Sequence, residues 1–503
     1  MSTNSKYIYL PVQTPFFQSW RAFLAPLKSR PTPAGHPLQR ATLSQIEDQL
    51  APALPADLLR QPLRGPHSRK RIYFLERTFW CAVWQILQAN TSGREVVRQL
   101  QALHSLLAET RTDEATSAYF QARAALPLTV LQRACQASAA SARQAAPRTP
   151  PVLQGRPVKF VDASSVRLED TPANRAEFPP PSNQFHSPAF PTLKLLALFE
   201  LASGAIIAHA TGDLHQAETR LLLSLEQYIH PGDIVGGDRA YGQFVVAHWA
   251  QRIGADLLAR VNTRSRHVNF AQATKLLGEG DALFTWHKPV SPSKLLTPQQ
   301  WAEVPATLTV RIIQIKVDRP GFRSREITLV TTLLDAELYP AREITGAFLK
   351  RWRLEMSLDD LKTTLGMEQL KARSPEVVQR ELLLFLIAHN LLRWLMAGAA
   401  KHSDGELERI SFKGTLDAFR QWSSALAQVR GPGKAAKQRR MWRELLAVLG
   451  ADKVPARPGR REPRAVKKRS KYPHLTAPRR QYVERWSRNQ RRRVQRAKRA
   501  SKP

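Results

Sequence analysis

VKFVDASSV, residues 158–166, reads as a short apolar strand that ends on a carboxylate, Asp162. Apolar runs of this length, bounded by turn residues, mark buried strands. A proline-rich linker, AAPRTPPVLQGRP at 145–157, precedes it, and the texture of the chain changes there. LKLLALFELASGAIIAHATG, 193–212, reads as two strands joined at Ser203-Gly204. QAETRLLLSLEQYI, 216–229, is an amphipathic helix, and DIVGGDRAYG, 233–242, is a strand leading to Asp238. FVVAHWAQRI, 244–253, is a helix and ADLLARV, 255–261, a strand. Strands alternating with helices predict an α/β fold.

Working outward, residues 266–335 turn to β. TLTVRIIQIKV (307–317) and REITLVTTLL (325–334) flank the turn DRPG and read as a hairpin. EVVQRELLLFLIAHNLLRWLMAGAA, 376–400, is a long and very apolar helix. Upstream of the linker the chain is mostly helical. SRKRIYFLERTFWCAVWQIL, 68–87, has apolar residues at helical spacing and stops at NTSG. Ser92 and Glu95 then form a capping box for REVVRQLQALHSLL, 94–107. Helix, short turn and basic helix outline a helix-turn-helix reader; an ordinary helical hairpin is the alternative.

The 503 residues are enough for two to four domains, and 43% hydrophobic content supports a sizeable core. The formal net charge of +35 calls for a polyanionic partner, with nucleic acid the first choice and an acidic membrane surface the second. About half of that charge lies in residues 454–503, where Glu462 and Glu484 are the only acids. Such a block is flexible when free. Tyr472, Tyr482 and Trp486 interleave with its bases, as in segments that stack on nucleic acid. No apolar run of about 18 residues and no secretory leader is read, so a soluble protein without a membrane partner is expected. Two cysteines, Cys81 and Cys135, make neither a disulfide framework nor a zinc site.

FLKRWRLEMSLDDLK, 348–362, carries the densest chemistry. On one continuous helix, Phe348, Arg351, Glu355 and Lys362 fall within an arc of about 60°. Asp359 shares the stripe and is expected to be exposed, whereas Asp360 lies off it. Leu354, Leu358, Leu361 and Leu365 fill the neighbouring arc, so the stripe borders the core. A salt-bridged surface helix is the bland alternative, with Arg351–Glu355 as its i,i+4 pair. Two strand-end aspartates and a helix-borne glutamate suit two divalent ions about 4 Å apart. Singly each acid has a plainer reading: Asp238 in a turn, Asp162 as a loop cap.

These residues carry a resemblance. Arg351, Glu355 and Lys362 match, in type and spacing, a signature of Tyr, two residues, Arg, three, Glu, six, Lys, found in DDE transposases of the bacterial insertion-sequence-4 family. VDASS and GGDRAYG resemble the segments around that family's two aspartates. The resemblance implies a multidomain α/β protein with a ribonuclease-H-like catalytic core and a β-rich insertion. The expected layout is a helical DNA-binding region at 1–145, the core at 155–265 and 336–400, and the insertion at 266–335. A helical region at 401–453 and a basic, flexible tail at 454–503 complete it. The resemblance assigns catalysis and metal binding to Asp162, Asp238 and Glu355, with Mg²⁺ (or Mn²⁺), two ions per site. It implies that Arg351 and Lys362 hold DNA phosphates. It also places Phe348 with them at the DNA; Phe348 stands where the family has Tyr, so a phosphate-binding hydroxyl is lost although the ring can still pack. Trp286 is a candidate for stacking on a flipped base, with core packing the alternative. Arg239 and Tyr241 either contact phosphate or order the loop after Asp238, and Arg260 at a strand end is open in the same way. His215 and Glu218 read as the start of a helix.

The expected function is metal-dependent cut-and-paste transposition by a homodimer that binds terminal inverted repeats and target DNA in the bacterial cytoplasm, at the nucleoid. A non-catalytic DNA-binding protein derived from a transposase is the alternative. An RNA-associated protein would leave the carboxylates unexplained.

Overall fold

Neighbouring residues of the 158–166 stretch are buried in two different cores. Phe160 lies in one apolar cluster and Val161 in another, and the next strand repeats this, with Leu195, Ala197 and Phe199 in the first and Leu196 and Leu198 in the second. Side chains alternate across a strand, so the two clusters cover the two faces of one sheet. In the computed structural model the described residues are 46–454, apart from 48, 66, 69–71, 107–112, 148–151, 182–188, 263–267, 317–325, 404 and 430–432. What was expected of residues 1–45, of the basic tail and of the DRPG turn lies outside them.

Nine strands form the sheet: β1 (Val158–Arg167), β2 (Thr192–Glu200), β3 (Ile206–Gly212), β4 (Ile234–Gly237), β5 (Asp256–Arg260), β6 (Lys275–Gly278), β7 (Asp281–His287), β8 (Thr307–Lys316) and β9 (Glu326–Thr331). Their order is β3-β2-β1-β4-β5-β9-β8-β7-β6. β1, β4 and β5 are parallel; every other pairing is antiparallel. The β-rich stretch expected at 266–335 is therefore continuous with the rest, because β9 pairs with β5. The VKFVDASSV strand does not end on Asp162. It runs five residues further, held by β2 along its whole length.

The helices are α1 (Leu75–Leu87), α2 (Gly93–Leu106), α3 (Ser117–Ala124), α4 (Leu128–Ala145), α5 (Pro172–Glu177), α6 (Glu218–Leu223), α7 (Phe244–Arg252), α8 (Pro298–Glu303), α9 (Ala341–Lys350), α10 (Trp352–Asp359), α11 (Pro375–Lys401), α12 (Phe412–Gln428) and α13 (Ala435–Ala451). Ser92 caps α2 by accepting the Glu95 N–H at 3.3 Å, while the Glu95 side chain takes the Thr91 hydroxyl in place of the Ser92 N–H. α11, the long and very apolar helix of the sequence reading, is long and apolar enough to cross a membrane, although no apolar run of that length was expected; 83% of its apolar stretch is buried inside the protein. It acts as the central core helix. Asn390 on α11 accepts the Ile206 N–H at 2.9 Å and donates to the Ile206 carbonyl at 3.0 Å, which satisfies edge strand β3. Arg123 of α3 pairs with Glu381 of α11 at 3.1 Å, and Gln85 of α1 accepts from both Arg123 and Tyr119. These buried bonds tie the N-terminal helices to the same core.

Candidate active site

β1 and β4 set the first two carboxylates side by side. Val158 lies beside Ile234, Lys159 beside Val235 and Phe160 beside Gly236. The same offset, carried two residues on past the end of β4, would match Asp162 with Asp238, and the two carboxylates do interact electrostatically. β4 stops at Gly237, so Asp162 lies where β1 has lost that neighbour and keeps only β2, through Ala197. A mid-strand carboxylate thereby reaches a crevice at the carboxyl ends of parallel strands, where open α/β sheets bind ligands.

Small residues shape this edge. A Cβ on Gly236 would stand 1.7 Å from the Leu258 carbonyl oxygen, and one on Gly237 would stand 2.4 Å from the Tyr241 ring. The chain then turns: Asp238 Oδ1 accepts the Ala240 N–H at 2.8 Å, and its carbonyl accepts the Tyr241 N–H at 3.2 Å. Tyr241 is only 1% exposed, and its hydroxyl bonds Glu218 Oε2 at 3.2 Å. Burial and Glu218 raise the phenol pKa. Tyr241 therefore orders the loop and presents no face to phosphate. Glu218 opens α6, as its sequence predicted. Arg239 is exposed beside the turn, and Arg260 is half-buried at the end of β5.

The third carboxylate comes from a helix lying over β1. Phe348 is 5% exposed and meets Phe160, two residues before Asp162, edge to face at 6.1 Å. That contact makes Phe348 a core residue and corrects its assignment to DNA. The helix is not continuous: α9 ends at Lys350 and α10 starts at Trp352, with Arg351 at the break. The Arg351 guanidinium lies 5.6 Å from the Phe348 ring centre and donates to Glu355 Oε1 at 2.8 Å. Its Nε is buried and has no hydrogen-bond partner among the described residues. After α10 comes a π turn, Asp360–Thr364, in which the Leu365 N–H reaches back five residues to the Asp360 carbonyl. Lys362, half-buried, sits in that wider turn, so the single 100° stripe does not extend to it. Asp359 is exposed, as expected.

Asp162 registers all of these groups. Its pKa is pushed up to about 6, first by burial, then by the charges of Glu355 and Asp238; Arg351 and the Ala163 N–H oppose the shift. Three acids within electrostatic range form an anionic pocket that favours a cation. Among the described residues, no three His, Cys, Asp or Glu side chains stand close enough together to hold a metal ion. The Glu355 carboxylate is bonded to Arg351. The charge pattern fits a cation, while the three carboxylates do not stand close enough together in this conformation to hold one.

A cavity of about 790 Å³ opens beside Asp238, lined by Lys194, Glu218, Arg239, Asn262 and Trp301 among others. Its aromatic residues are Trp301 of α8 and Phe244 of α7. Trp286, singled out in the sequence, is 7% exposed among the core residues of β7 and β8 and offers no stacking face. Trp301 was missed because a single Trp in a short helix carries no spacing signal.

A family profile described as "Transposase DDE domain" matches residues 153–391, a span that contains all three acids. "Transposase InsG for insertion sequence element IS4" of Escherichia coli (strain K12) is 28% identical over 448 residues, covering 87% of this chain and 95% of the relative. A solved piggyBac transposase synaptic complex with hairpin DNA aligns over 86% of this chain and 85% of its own, at 9% identity and a TM-score of 0.37, a likeness too slight to carry an argument. The matched span, which holds all three acids, and the near full-length relative together support a DDE transposase of the insertion-sequence-4 family.

Proposed function

We propose that this transposase cuts the ends of its insertion sequence and joins the freed 3′-hydroxyls to target DNA, with Asp162, Asp238 and Glu355 as its catalytic acids. The observation that supports this reading is Asp162, half-buried on β1, which feels the charges of both Glu355 and Asp238 and has its pKa raised by them as well as by burial. The fold class it implies is ribonuclease-H-like, in keeping with the β3-β2-β1-β4-β5 half of the sheet. DDE transposases work with divalent metal ions, and an all-carboxylate donor set suits a hard cation such as Mg²⁺ or Mn²⁺. Two such ions, held by Asp162, Asp238 and Glu355, would supply an activated water or hydroxyl and stabilise the leaving oxygen.

The chain's own residues do the rest. Glu355, if released from Arg351, would be free to hold a cation, and the Arg351 guanidinium would then be free to meet DNA phosphate as a bidentate donor. Lys362 and exposed Arg239 add phosphate contacts at the rim. The substrates are terminal inverted repeats and target duplex, the working form is a homodimer on DNA, and the place is the bacterial cytoplasm. The alternative is a non-catalytic DNA binder, and the Arg351–Glu355 bond is the observation in its favour. Incubating the chain with a labelled duplex carrying the element's terminus, with Mg²⁺ or with EDTA, separates the two. Metal-dependent cutting at the element's edge is expected. Binding without cutting, with Mn²⁺ also tried, would favour the alternative.

A further inference from the structure

The charges of α13 oppose the needs of a helix that only has to fold. Lys434, at its N-cap, and Lys437, Arg439, Arg440 and Arg443 in its first turns are all exposed, and the first turn has no acid. The N-terminal end of a helix is partially positive, so bases there are disfavoured. Lys437 with Arg440, and Arg439 with Arg443, are like-charged neighbours at i,i+3 and i,i+4, which adds repulsion. Among the described residues, Arg440 alone of the five is paired, with Glu444 at 3.1 Å.

The helix cannot rotate these bases away. Leu445, Leu446 and Leu449 are buried, and Trp442 packs 6.4 Å from Trp394 of α11. At 3.6 residues per turn, Lys437, Arg439, Arg440 and Arg443 span roughly 160° on the side opposite those leucines. The helix ends at Ala451, next in sequence to the Arg- and Lys-rich segment 454–503.

We propose that this outward face of α13 binds the phosphate backbone of duplex DNA without regard to base sequence, as an anchor separate from the catalytic crevice. Lysines and arginines on an exposed helix face match a polyanion, and phosphate contacts position a protein without reading bases. A membrane surface fits less well, because the basic arc holds no large apolar side chain and the apolar side of the helix is used against α11. The inference rests on the transposase reading only for the identity of its polyanion.

The test uses the full chain with Lys437→Ala, Arg439→Ala and Arg443→Ala combined, leaving the Arg440–Glu444 pair intact. Affinity is measured across a KCl series for a random duplex and for one carrying the element's end. The plot of log affinity against log salt is expected to become shallower by roughly 2–3, the loss of about three phosphate contacts. The change is equal on both duplexes, and the thermal midpoint stays where it was. Lys437→Gln and Arg443→Gln, each worth about one unit of slope, replace the triple variant if it does not fold. An unchanged slope, a loss confined to the element's end, or an altered oligomeric state with unaltered DNA binding would each overturn the proposal. A wild-type chain that never cuts DNA, with the slope still falling in the variant, would overturn the transposase reading and support this surface.

Discussion

Asp281 and Asp162 lie in the same sheet, and both are taken largely out of water. Asp281 is met by Arg311, itself 0% exposed, which donates Nε at 2.7 Å and Nη2 at 2.5 Å to its two oxygens. The remaining Arg311 nitrogen donates to the carbonyls of Leu333, Asp335 and Tyr339, the segment that leads into α9. Asp162 receives one bond, from its neighbour's N–H at 3.1 Å, and faces two acids and an arginine already bonded elsewhere. Buried charge is satisfied by the scaffold at one end of the sheet and left for an outside partner at the other. The satisfied pair serves architecture, since it fixes the approach to α9, the helix that precedes the one carrying Glu355. The unsatisfied acid is the one proposed for chemistry.

The largest effect that sharpens this contrast is on activity. Glu355→Gln should reduce end cleavage and joining by roughly 10³-fold or more while leaving binding to the element's end intact. Gel assays of both steps check it, and a variant that still joins strands removes Glu355 from the site. Next comes the architectural pair. Asp281→Asn leaves Arg311 buried without its counter-charge and should cost about 3–5 kcal/mol in denaturant unfolding. A loss under about 1 kcal/mol would mean that the pair is not what holds the α9 approach.

Asp162 should behave in the opposite sense. Its folded pKa of about 6 lies above its ordinary value of 3.8, so the folded state binds the extra proton. Without metal, its contribution falls as pH rises from about 4 through about 6, and the whole cost is present above that. Asp162→Asn should therefore gain about 1–2 kcal/mol over wild type at pH 8, after discounting for solvent that reaches this half-buried group, and nothing at pH 4. Unfolding curves of both proteins across pH decide it, and equal stability at pH 8 would count against the crowded-carboxylate picture. The smallest effect is far from both acids. Ser92→Ala removes the α2 cap and should cost about 0.5–1 kcal/mol with activity unchanged.

Much of the fold was legible because apolar alternation and turn residues report burial directly. The strands around Ser203-Gly204 and the helix and strand after Asp238 stand where the pattern put them. The three acids were singled out by type and order. What escaped was set by partners distant in sequence. β1 continues past Asp162 because β2 pairs with it, and the β-rich stretch joins the main sheet because β9 finds β5. The break at Arg351 and the π turn at 360–364 left no mark in a pattern that fits one straight helix. Phe348, Tyr241 and Trp286 share this cause: each aromatic suited a nucleic-acid contact, and only packing revealed that each is buried.

The central claim is that Asp162, Asp238 and Glu355 together form a cation site. The most direct measurement is the thermal midpoint at pH 8 as Mg²⁺ or Mn²⁺ is added to wild type, Asp162→Asn and Glu355→Gln. Wild type should rise steadily with cation concentration, and both variants should stay nearly flat, because a cation stabilises only the state that holds it. An equal rise in all three proteins would place the cation elsewhere and contradict the account.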